Sequence, residues 1–221
     1  MARTPSVRAQ AAARPPFAVR HPWDRPFLLV WVLLIWAAVL IGFVPEIVSH
    51  IRNGAPPQPM MVRAHGTAFV GWMVLLTVQL FLIRHQKVRL HRWLGVAGAV
   101  LAALMVVLGI GVALVVQHSH LGGPQSNPGF FSVQLLDMVE FGGLVTAAVL
   151  TRGQPAAHKR LILLATLSIA DAGFSRWLGI RLYDHLGEGY WQFWVELFGG
   201  SGLLIAGIGI YDWITRRRLL P

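Results

Sequence analysis

Residues 84–116, RHQKVRLHRWLGVAGAVLAALMVVLGIGVALVV, pass from a basic turn into an apolar run, and this transition decides the fold. From Trp93 to Val116 nothing is charged, and the run is long enough to cross a ~30 Å hydrocarbon core, which takes about 20 residues of helix. Arg84, Lys87, Arg89 and Arg92 stand just ahead of it. The alternation recurs along the chain. Apolar stretches at about Phe27 to Val44, Ala64 to Ile83, Trp93 to Val116, Phe130 to Leu150, Leu161 to Ile180 and Trp191 to Ile214 predict an all-α polytopic membrane protein. Its bundle of six transmembrane helices occupies residues 26–215, and six crossings bring both termini to one side.

The cations orient that bundle. Five arginines (Arg3, Arg8, Arg14, Arg20, Arg25) precede the first stretch, and three (Arg216, Arg217, Arg218) follow the last. Arg152, Lys159 and Arg160 lie between the fourth and fifth, in register with the basic turn at 84–92. The remaining gaps hold only Arg52, Arg63, Arg176 and Arg181. Short loops rich in Lys and Arg stay in the cytoplasm. The expected topology therefore has cytoplasmic termini in the bacterial inner membrane, with loops at about 45–63, 117–129 and 181–190 outside.

Composition limits the alternatives. With 55% hydrophobic and 13% charged residues, the chain has too little polar surface to cover a soluble core. The lipid bilayer is its expected partner, with a membrane protein or a second copy of the chain as the further class. A net charge of +10 would fit nucleic acid, but its carriers are spread over short loops where topology already accounts for them, so nucleic acid is excluded as a partner. The absence of cysteine removes disulfides and thiolate chemistry. Residues 1–25, rich in Pro, Ala and Arg, read as a disordered basic arm, and 216–221 as a basic tail. Gly95, Ala99 and Ala103 in the third span, and Gly199, Gly202, Ala206 and Gly209 in the sixth, read as small faces for helix packing.

Ionisable residues inside the spans carry the functional signal. Gln134, Asp137 and Glu140 recur every three residues in the fourth span, Asp171 lies in the fifth and Glu196 in the sixth. A charge at mid-bilayer costs roughly 2.5–3.5 kcal/mol on insertion scales, so such groups face a bundle interior. His65 opens the second span on the external side, and Trp72 and Gln79 follow it on the same helical face. These residues, with Arg176 at the external end of the fifth span, predict an outward-facing His and carboxylate pocket for a small ligand, an ion or a proton. The structural alternative pairs Arg176 with Asp137 or Asp171 as interhelical glue.

A second group lies at the cytoplasmic boundary. His91-Arg92 begins the third span and His158-Lys159-Arg160 the fifth, an arrangement in which His91 and His158, with His65 as a further ligand, would hold a b-type haem through axial imidazoles. Beside topology-setting cations, histidines at headgroup level also need no ligand. His118 and His120 fall in the second external loop, where a solvated role is expected. No G-x-S-x-G, H-E-x-x-H or G-x-x-x-x-G-K-[ST] motif occurs.

Taken together, His65-Gly66, Trp72, Gln79, Leu82-Ile83-Arg84, His91-Arg92-Trp93-Leu94-Gly95, Asp137 with Phe141, His158-Lys159-Arg160-Leu161, Arg176 and Tyr211-Asp212 resemble the pattern of a family of uncharacterised bacterial six-span membrane proteins. The resemblance covers about residues 64–218 and implies a six-helix inner-membrane fold without an assigned activity. A looser likeness, through the His-Arg helix starts, is to membrane b-type cytochromes, whose two histidines about a dozen or more residues apart within one span none of the six apolar stretches carries. Three function classes follow: a binding or proton-coupled pocket, a haem electron-transfer protein, and an accessory subunit of a membrane complex.

Overall fold

A computed structural model describes residues 20–123, 127–179, 181, 185 and 189–219. Among these the regular elements are all helical: α1 (Asp24–Arg52), α2 (Met60–Arg84), α3 (Val88–His120), α4 (Pro128–Leu150), α5 (Pro155–Phe174) continued by a π-helical turn (Ser175–Gly179), and α6 (Tyr190–Arg216). Six helices, α5 counted with its π turn, are long and apolar enough to cross a membrane.

The helices overrun the apolar stretches. Asp24 and Arg25, expected in the arm, open α1, which then continues through Pro45 to Arg52. A proline inside a helix loses one hydrogen bond, a loss that neighbouring helices make tolerable in membrane helices. His118 and His120, expected in a loop, form the last turn of α3. Residues 1–19 of the expected arm, 220–221 of the tail and most of the 181–190 loop lie outside the described residues.

Local chemistry sets the ends. Asn127 accepts a hydrogen bond from the Phe130 amide at 3.0 Å, capping α4 ahead of Pro128. After α1, Gly54 adopts a left-handed φ of 60°. Its own amide reaches Ile51 O and that of Ala55 reaches His50 O, the paired bonds of a Schellman motif. Gln86 makes the same turn after α2 at φ 60°, with Lys87 N bonded to Leu82 O at 2.8 Å.

Helices α1 to α5 form a closed cycle of neighbours, each packed on the next and α5 returning to α1, while α6 docks on α5. α5 is therefore central, with 56% of its apolar window buried against 17–28% for the other five. It crosses α1 at Gly42 and Gly173, where the backbones touch: a Cβ on Gly42 would strike the Gly173 carbonyl, and one on Gly173 would lie 3.1 Å from Ala38 O. In α6 the Phe174 ring lies over Gly200 and the Trp31 ring over Gly207.

The expected small face of α3 is not the packed one. Gly95 and Ala103 are exposed, and the buried positions are Gly98, Ala102, Met105, Gly109 and Ala113. Bulk decides this: Gly109 admits the Met138 side chain, and a Cβ on Gly98 would lie 3.0 Å from the Leu75 side chain. In α6 likewise, Gly202 has open space while Gly200 and Gly207 take the rings. The outer faces carry large exposed apolar residues such as Val96, Val100 and Val107, the surface lipid would cover.

Candidate functional site

His65, Asp137 and Asp171 line one cavity of about 60 Å³, together with Phe69, Met105, Met138, Phe141 and Ile169. The three polar residues come from α2, α4 and α5, elements that the closed cycle brings together around the interior. Asp171 is buried, and its carboxylate accepts the Ala172 amide at 2.6 Å. Asp137 and His65 are half-buried, and His65 Nδ1 is shut away from solvent with no hydrogen-bond partner. By this volume measure a water needs about 10–15 Å³, so the cavity has room for a few. Such waters would satisfy the His65 nitrogen and connect it to the carboxylates.

The other expected members of this pocket stand apart from its lining. Glu140 is exposed and Gln134 half-buried on α4. Glu196 accepts a bond from Gln192 Nε2 at 3.2 Å and packs its side chain over Gly179 of the π turn. Arg176 forms neither of the pairs expected of it. It bonds to Glu46 at 3.0 Å, donates to Ala172 O at 2.7 Å and lies over the Phe43 ring at 4.2 Å. Five positions along a helix rotate Arg176 well away from the face of Asp171 and toward α1. Among the described residues, no three His, Asp or Glu side chains gather closely enough to hold a metal ion.

At the end of the bundle where α1 begins and α6 finishes, Gln79 Nε2 donates to the His91 carbonyl at 3.2 Å. Gln79 Oε1 and His91 Nδ1 are both buried without a partner. The His91 and His158 ring centroids are 6.3 Å apart with the planes at 85°. His158 Nδ1 meets Ala148 O at 2.8 Å. Because a carbonyl only accepts, Nδ1 carries the proton and a neutral His158 keeps its lone pair on Nε2. His65 lies roughly 20 Å away along α2, counted at 1.5 Å per residue to Gln79, and belongs to the other group.

The most densely bonded cluster lies outside both groups expected from the sequence. Asp24 accepts from Lys159 Nζ at 2.7 Å, from Tyr211 OH at 2.7 Å and from Arg216 Nη2 at 2.7 and 2.8 Å. Beside it Arg160 and Asp212 form a buried ion pair, to which Arg216 Nη1 adds a bond at 3.3 Å. The signal was present in the sequence: Asp24 is the one acid ahead of the first span, and Asp212 sits one helical turn before Arg216.

No family model, curated protein or solved structure matches the chain.

Proposed function

We propose that this is a multi-pass protein of the bacterial cytoplasmic membrane, with cytoplasmic termini, that takes up and releases protons at an outward-facing His65–Asp137–Asp171 pocket. The observation that carries the reading is the convergence of one imidazole and two carboxylates from three helices on one small cavity, with His65 Nδ1 buried and unpartnered. Imidazole and carboxyl groups can each take up and release a proton, and ionisable groups inside membrane bundles serve such relays. A cavity with room for a few waters suits a proton, and the absence of a metal-holding trio among the described residues favours it over a bound cation.

The test is infrared spectroscopy of the purified protein across a pH titration. A carboxyl carbonyl band that appears on acidification and is lost in Asp137→Asn or Asp171→Asn is the expected result. Spectra of both variants that match the wild type throughout would refute the proposal.

The second reading, a b-type haem on His91 and His158, draws on their ring spacing and on the Nε2 lone pair of His158. A porphyrin also needs a slot between its two ligands. Among the described residues, the cavities of about 10 and 60 Å³ are lined by residues other than these two histidines, which favours the proton-binding reading. A Soret band in protein purified from haem-replete cells would reverse this order.

A further inference from the structure

The pocket and the Gln79–His91–His158 group are joined by one helix face. His65, Trp72 and Gln79 are seven residues apart in turn, so they lie along a single stripe of α2 at intervals of about 10 Å. Four buried side-chain polar atoms lack a partner among the described residues, and three belong to this line: His65 Nδ1, Gln79 Oε1 and His91 Nδ1. Buried polar atoms left unpaired are costly, so their concentration along this line, two on α2 and one at the start of α3, calls for a shared cause. Hydrogen-bonding water along the stripe supplies one.

Between the two groups stands an apolar plug. Trp72 and Phe141 meet edge to face at 5.2 Å, Phe141 is fully buried, and Phe141 also lines the cavity. The Trp72 indole donates to Thr166 Oγ1 at 3.2 Å, which fixes the ring across the interior against α5. Apart from the Trp72 indole N–H, already bonded to Thr166, these rings offer water no hydrogen-bonding group.

We propose that a proton path follows the inner face of α2 from the His65–Asp137–Asp171 cavity to Gln79, His91 and His158, and that the Trp72–Phe141 contact closes it at mid-bundle. The proton enters from water at His65 or a carboxylate, passes through ordered waters, and leaves to water from the imidazoles; no bond other than those to the proton changes. Other charged groups border the line at its ends: Glu140 follows Asp137 on α4, while Arg92 and Lys159 follow the two histidines, Lys159 being held by Asp24. The inference rests on the proton-binding reading of the cavity.

The experiment uses the full chain in liposomes with a trapped pH dye, an imposed pH gradient and the membrane potential clamped by potassium and valinomycin. Phe141→Ala should raise proton flux at least about tenfold over wild type, the change expected when a barrier falls by about 1.4 kcal/mol. Adding His91→Phe or Gln79→Leu should return it to the wild-type level. Phe141→Val, which still removes the ring but leaves a larger apolar remnant, serves if the alanine variant does not elute as folded protein, with the same expectation. A flux unchanged by the folded variant, or raised but indifferent to His91→Phe and Gln79→Leu, overturns the path. The infrared titration separates the two failures: a carboxyl band with no flux effect removes the path alone, and a missing band removes the pocket as well.

Discussion

Arg160 and Asp212 face each other across α5 and α6 as a two-pronged ion pair, Nε donating to Oδ2 at 2.5 Å and Nη2 to Oδ1, with Asp212 fully buried. Removing one partner of such a pair strands a buried charge, at a cost of about 3–5 kcal/mol, whereas exchanging both for apolar residues of similar volume is often neutral. Asp212→Asn should therefore lower the melting temperature in detergent sharply. Arg160→Met with Asp212→Leu should cost less than the sum of the two single changes. A strictly additive double variant would show that the pair does not act as a unit.

At the crossing of α1 and α5 there is no space for a methyl group on Gly42, because the Gly173 carbonyl occupies the position. Gly42→Ala must push the two backbones apart, and overpacking of this kind costs about 1–3 kcal/mol. Unfolding of this variant should be easier than that of Gly202→Ala, whose added carbon meets open space. Equal stabilities would place the helix crossing elsewhere.

Gln86 holds a left-handed φ of 60° in the turn between α2 and α3, a conformation that glycine adopts without penalty. Gln86→Gly should stabilise the protein by about 1 kcal/mol, the usual difference between these residues at such a position. Thermal unfolding in detergent reads the sign directly, and a loss of stability would contradict the capping role given to this residue.

The chain has no cysteine, so any thiol introduced is the only one. With cytoplasmic termini, Cys at Gln86 or Arg152 should react with an impermeant maleimide only after cells are opened, and Cys at Asn53 or Gly122 in intact cells. The reverse pattern would invert the bundle and turn the His65 cavity toward the cytoplasm.

The helices were legible because each is a long apolar run, and the run alone determines that it is a helix in lipid. Their ends were less so: Pro45 and the polar turn His118 to His120 look like loops, yet helical hydrogen bonding continues through both. Of the site, the His65, Asp137 and Asp171 grouping could be read from depth and sign of charge. Depth alone could not separate Glu140 or Arg176 from it, since rotation about the helix axis decides which side chains enter a cavity, and rotation depends on neighbours far away in sequence. The same blindness hid the role of Lys159, Arg160 and Arg216. A cation at a membrane boundary looks the same whether it faces headgroups or a buried aspartate.

Asp24, the first residue of α1, and Arg216, the last of α6, are bonded at 2.7 and 2.8 Å across almost the whole length of the chain. During synthesis α1 must wait in the membrane with its carboxylate incompletely partnered until α6 has left the ribosome. Closure of the bundle is thereby tied to the synthesis of α6, so a chain cut short before Arg216 lacks the fastening between the start of α1 and the end of α6.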